Sequence, residues 1–103
     1  MDVRETEHVA PFHFCINIGE YTGISAASYK DFLTSIKKVK AKSLSFHVER
    51  GDFQKWVMDV LKDKKLAEEI GKIQNQKLRG QALRNRLYRI VLKRYNELTS
   101  KTR

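Results

Sequence analysis

The chain has little of what interrupts a helix: one proline and five glycines in 103 residues. A sandwich or barrel needs a turn about every ten residues, so an all-β architecture is poorly supported and most of the chain is free to be helical. Cysteine is reduced to Cys15, so no internal disulfide forms and the fold does not depend on an oxidising compartment. Uncharged runs are short, nine residues over Tyr21–Tyr29, against roughly 20 apolar residues needed to cross a bilayer. No membrane-spanning helix is expected. The opening residues carry Asp2, Glu5 and Glu7 with no apolar stretch, which does not fit a secretory signal. The cytoplasm is the expected location.

Acids are also scarce, and only in one place. Between Met1 and Gly51 the bases nearly cancel the acids, but from Lys72 onward ten lysines and arginines face Glu97 alone, and ten less one is the whole formal charge of +9. The last third of the chain is therefore an electropositive object suited to an anionic partner.

What is present is enough apolar material for one core. The apolar fraction is 41% with ten aromatic residues, and a chain of this length forms a single domain. The expected layout is a flexible N-terminus over 1–8, one helical domain over 9–98 and a flexible basic tail over 99–103. The expected fold class is mainly all-α, a compact small bundle of about four to five helices with an extended N-terminal arm.

The segment Gly51–Leu61 organises the rest. Asp52 reads as an N-cap, and Phe53, Trp56, Val57, Val60 and Leu61 fall at i, i+3, i+4, i+7 and i+8, the apolar stripe of a core-facing helix over about 53–62. It carries the only tryptophan, so it is the expected hub. Upstream, Val9–Ile18 alternates Phe12, Phe14, Ile16 and Ile18 with His13, Cys15 and Asn17. Period two predicts an extended segment, either one half of a strand pair or an arm over the helices. The arm is preferred because no second strand stands out. Ser28 with Asp31 three residues on resembles a capping box before Tyr29, Phe32, Leu33, Ile36 and Val39, which predicts a helix over about 26–39. Ser43 is the expected cap of a short apolar turn with Leu44, Phe46 and His47. Asp63 caps a helix turning Leu66, Ala67, Ile70 and Ile73 inward, with a break expected near Gly71. A last helix over about 78–98 turns Leu83, Leu87, Ile90, Val91 and Leu98 to one side.

Ser43-Leu-Ser-Phe-His47, Asp52-Phe-x-x-Trp56-Val, Leu66-Ala-Glu-x-Ile70 and Leu83-Arg84-x-x-Leu87 together resemble an uncharacterised family of prokaryotic domains of unknown function, DUF5752. Its members pair an S-I-x-Y-H turn with N-D-F-x-x-W-V, L-A-E-R and L-R-E-x-L helices, and Phe12-x-Phe14 and Thr22-Gly23 look like its opening. Family members occur alone or beside carbohydrate-related and other enzymes, with no established activity. The resemblance implies the fold and leaves function to the residues. This chain departs from the pattern at Arg50-Gly51, where the family has a longer loop, and in its strongly basic last helix.

His13, Cys15 and His47 are the candidate soft-metal ligands, but a closed zinc site wants four ligands with paired spacings, so no metal and no cofactor is expected. Cys15 with His47 as base lacks a third orienting group and an oxyanion hole. Glu68 and Glu69 lie about 100° apart on a helix and read as solvated. No enzyme and no small-molecule substrate is expected. In the last helix, Arg79, Arg86, Arg89 and Lys93 gather within about 80° of arc, a stripe fit to track phosphates, with Lys37, Lys38, Lys40 and Lys42 in support. No recognisable RNP motif, zinc finger or helix-turn-helix signature offers base readout, so a non-enzymatic module docking on the backbone of nucleic acid or a ribonucleoprotein is the expected function. The alternative is a protein–protein adaptor or homodimer, because Tyr88, Leu92 and Tyr95 widen the apolar arc beyond what one core needs. Arg84 lies inside that arc and is expected to be partly buried, pairing with a carboxylate, first of all Asp52, or with helix-end carbonyls.

Overall fold

A computed structural model describes residues 10–100. A hairpin of β1 (Phe12–Asn17) and β2 (Glu20–Ala26) leads into five helices: α1 (Tyr29–Lys38), α2 (Ala41–Arg50), α3 (Asp52–Asp59), α4 (Lys64–Gln74) and α5 (Gly80–Ser100). The expected segment 1–8 and residues 101–103 of the expected tail lie outside the described residues, while Thr99 and Ser100 are helical and belong to the last turn of α5.

The expected arm is one strand of an antiparallel pair. Phe12 stands opposite Ala26, His13 opposite Ser25 and Phe14 opposite Ile24, and the register is interrupted on either side of Cys15. Gly19 closes the loop at φ +78, a left-handed conformation that an L side chain adopts only with strain. An isolated two-stranded hairpin is marginal in water. This one is held because β1 packs on α2 and β2 on α1, burying Phe12 and Phe14 completely or nearly so. The irregularities after Phe14 also break the alternation, so Ile18 points to solvent at the hairpin tip, 79% exposed, instead of joining the inner face.

Ser28 and Asp63 cap as their spacing demands: the Ser28 hydroxyl accepts from the Asp31 N–H (3.1 Å) and Asp63 Oδ1 from the Leu66 N–H (3.0 Å). Two expected caps are not caps. α2 starts two residues before Ser43, with Lys40 at its N-cap and no side-chain bond there, and Ser43 is buried in the first turn, donating to the Cys15 carbonyl at 2.8 Å. Gly51, at φ 77, ends α2 by giving its N–H to His47 and Val48 carbonyls and is also the N-cap of α3, which places Asp52 one residue inside the helix. Gly71 does not break α4, because Ile70 and Ile73 anchor the helix on both sides of it.

The core is an aromatic nucleus. Phe53, with no exposed surface, lies 5.0 Å from Phe12, 5.9 Å from Phe14, 5.4 Å from Phe32 and 5.4 Å from His47 by ring centroids. Trp56, 7% exposed, touches Phe12 and Phe32 at the edge of the cluster and donates its indole N–H to the Ala10 carbonyl (2.8 Å). The hub helix ends three residues earlier than expected, at Asp59 with Val60 as its C-cap, and Phe53 lies at the centre of the nucleus. α5 lies across α1, α2 and α4 and buries Leu83, Leu87 and Val91.

Candidate nucleic-acid interface

Two arginines on the inner side of α5 fix its rotation. Arg94 Nε donates to both oxygens of the buried Asp63 carboxylate at 3.1 and 2.8 Å, and the Tyr29 hydroxyl donates to Oδ2 at 2.8 Å. Burial by itself pushes the Asp63 carboxyl up, but the bonds from Arg94, the Leu66 N–H and Tyr29 together hold it below its ordinary value. Burial, with the Asp63 contact acting in the same direction, pushes the Tyr29 hydroxyl up. Arg84 donates through Nε to the Ile36 carbonyl (3.1 Å), through Nη2 to the Val39 carbonyl and through Nη1 to Gln81 Oε1 (3.0 Å). It pairs with the carbonyls at the end of α1 and not with Asp52, its cation sitting where the helix dipole is negative. With both arginines committed inward, the opposite side of α5 faces out.

That outward crest holds Arg86, Arg89 and Lys93, all exposed; Arg79, also exposed, lies before α5, and Gly80 at φ +56 interrupts the 100° period that was expected to put it on the same face. Among the described residues no carboxylate lies within ion-pair distance of any of them, nor of Lys37, Lys38 or Lys40, which are also exposed. Some cations elsewhere are matched: Arg50 with Asp52, Lys55 with Asp59, Lys72 with Glu69, and Lys65 and Arg94 with Glu97. Glu97 is drawn below its ordinary value, chiefly by the bond from Lys65 and then by Arg94. Lys93 shares with Glu97 the shallow grooves on each side of the C-terminal half of α5, so the field of the crest is strongest in its N-terminal half.

Between α5 and the end of α1 runs a further groove lined by Lys37, Arg84, Tyr88, Arg89 and Leu92, with the amides Gln81 and Asn85 nearby. The Lys37 ammonium lies 5.2 Å from the centre of the Tyr88 ring. Lys37 and Arg89 are thus brought together, while Lys38 and Lys40 do not line the groove. Tyr88, Leu92 and Tyr95 are half-buried, packed against the core on one side. The 100° period was enough to group Arg86, Arg89 and Lys93, and it fails at Arg79, which precedes the helix. The Arg94–Asp63–Tyr29 network was not legible, because its members are some thirty residues apart in sequence, at separations of 31 and 34.

The Cys15 and His47 pair is a structural pin. His47 Nε2 accepts the Cys15 backbone N–H at 2.8 Å and Nδ1 faces Asp52 Oδ2 at 2.8 Å, so both ring nitrogens are engaged and the thiol is not within reach of the imidazole base. Burial among Phe12, Phe14 and Phe53 lowers the His47 pKa, opposed by the Asp52 carboxylate. On the outer face of the hairpin the Ser25 hydroxyl bridges His13 Nδ1 and the Tyr21 hydroxyl, a cross-strand polar contact. Among the described residues no group of three or more His, Cys, Asp or Glu is placed to hold a metal ion, and no helix is long and apolar enough to cross a membrane.

No curated protein and no solved structure matches the chain. The family model described as a family of unknown function, DUF5752, matches residues 7–103, and with nearly the whole length covered the chain belongs to that family.

Proposed function

We propose that this domain is a non-catalytic module that docks on nucleic acid, alone or in a ribonucleoprotein, through the α5 crest. The observation that carries the reading is the group of exposed cations Arg86, Arg89 and Lys93 on one face of α5, with Arg79 just before the helix, none of them within ion-pair distance of a carboxylate among the described residues. Unpaired cations on a rigid helix release counterions when they meet phosphates, which gives affinity without sequence preference. A second reading, a protein partner or second copy, is supported by the incompletely covered Tyr88, Leu92 and Tyr95. A gel-shift or anisotropy assay at about 50 and 200 mM salt tests the first: binding that is strong at the lower salt and falls steeply at the higher supports it. No binding at the lower salt rejects it, and the native mass then tests the second.

A further inference from the structure

We propose that the groove between α1 and α5 receives an unpaired nucleotide of a single strand, its base against the Tyr88 ring and its flanking phosphates on Lys37 and Arg89. The inference rests on the nucleic-acid reading above and narrows it to single-stranded partners.

The crest alone does not choose between a duplex and a single strand, since both present phosphates. The groove does. Tyr88 offers an aromatic face beside the crest, only half-buried, and what lies over that face is the end of an exposed lysine with no carboxylate to hold it. A cation 5.2 Å above a ring marks a face that a planar group can take over. When a base displaces it, the Lys37 ammonium is left beside the phosphate that follows, and Arg89, one residue after Tyr88, flanks the groove from α5. Base stacking on an aromatic ring between cations is how single strands are held without sequence readout. A duplex buries its base faces in its own stack and has no face to offer. Gln81 and Asn85, bonded to each other at 3.0 Å and sitting two turns and one turn before Tyr88, lie in the same groove with amide groups of the kind that pair with a base edge. The Arg84 guanidinium also lines the groove, but three of its five N–H donors are given to the α1 carbonyls and Gln81, so it is fixed in place as part of the groove wall.

The test uses oligonucleotides of about 12 nucleotides, a length within the usual span of single-strand sites: one normal DNA strand, one RNA strand, one DNA strand with abasic positions, and one duplex, with the full chain at low salt. The inference expects the normal strand to bind about tenfold or more tighter than the abasic strand, the duplex to bind no better than the abasic strand, Tyr88→Leu to erase the difference and Tyr88→Phe to keep it. The RNA arm shows whether the ribose hydroxyl adds to binding, and RNA binding tighter than or equal to DNA binding equally supports a base on Tyr88 provided base removal weakens it. Should Tyr88→Leu fail to fold, as its helical spectrum will show, the abasic comparison on the parent protein decides by itself. Equal binding of normal and abasic strands, or preference for the duplex, overturns this inference and leaves the crest reading standing. No binding of any probe overturns both.

Discussion

Removing the Asp63 carboxylate tests most sharply how α5 is positioned. In Asp63→Ala three things are lost at once: the cap on the Leu66 N–H, worth about 0.5–2 kcal/mol; the acceptor of the buried Tyr29 hydroxyl, worth roughly 1–3 kcal/mol if nothing replaces it; and the partner of Arg94, whose side chain is only 18% exposed. Stripping one member from a buried ion pair costs about 3–5 kcal/mol. The three do not add, because they share one carboxylate, so the expected total is about 3–5 kcal/mol against a stability of about 5–15 kcal/mol for a small domain. At about 4–8 °C per kcal/mol, melting should drop by roughly 12–40 °C. Asp63→Asn keeps an oxygen for the cap and removes the charge, so its loss should be smaller, and smaller still in an Arg94→Met background, which a double-mutant cycle measures. The sign in pH follows from the depressed carboxyl: its contribution is present above the unfolded value of about 3.9 and is lost as pH falls through the folded one. Calorimetry of the five proteins settles the matter, and an Asp63→Ala melting point within about 3 °C of the parent would refute the reasoning.

Phe53→Ala and Trp56→Ala should each cost about 3–5 kcal/mol by urea unfolding, with Phe53 at least as costly because it is the more enclosed; a smaller loss at Phe53 would move the centre of the nucleus back to Trp56. Arg84→Met should cost about 1–3 kcal/mol by orphaning the Ile36 and Val39 carbonyls; a variant as stable as the parent that no longer bound oligonucleotides would make Arg84 functional. His47, with its pKa lowered by burial, adds stability that is full above the unfolded value near about 6.5 and is lost as pH falls through the folded value. Melting followed from about pH 7 to 5 should show this decline in the parent and not in His47→Gln; parallel curves would contradict the pin.

The helices were legible where a cap or a long stripe announced them. Ser28 and Asp63 have the short oxygen side chains that local N–H groups require, and α5 is long enough for its period to be unmistakable. β2 was not legible because Tyr21-Thr22-Gly23-Ile24 combines a turn-forming glycine with only two inward apolar residues, Ile24 and Ala26, and it becomes a strand only by pairing with β1. The α2 start gives no signal because no side chain caps it. Of the site, Arg86, Arg89 and Lys93 follow from spacing on one helix, while Arg79 lies before it. The Lys37 contact with Tyr88 needs α1 and α5 side by side, and no local pattern encodes that.

The account stands most directly on the salt dependence of a variant in which Arg79, Arg86, Arg89 and Lys93 are all replaced by glutamine. Each phosphate contact contributes about 0.9 to the slope of log K against log salt on duplex and about 0.7 on single strands. None of the four faces the core, so the helical spectrum should be unchanged while the slope falls by roughly 3 and affinity for unrelated sequences weakens equally. A parent-like slope in the folded variant would contradict the claim that the α5 crest holds the phosphates.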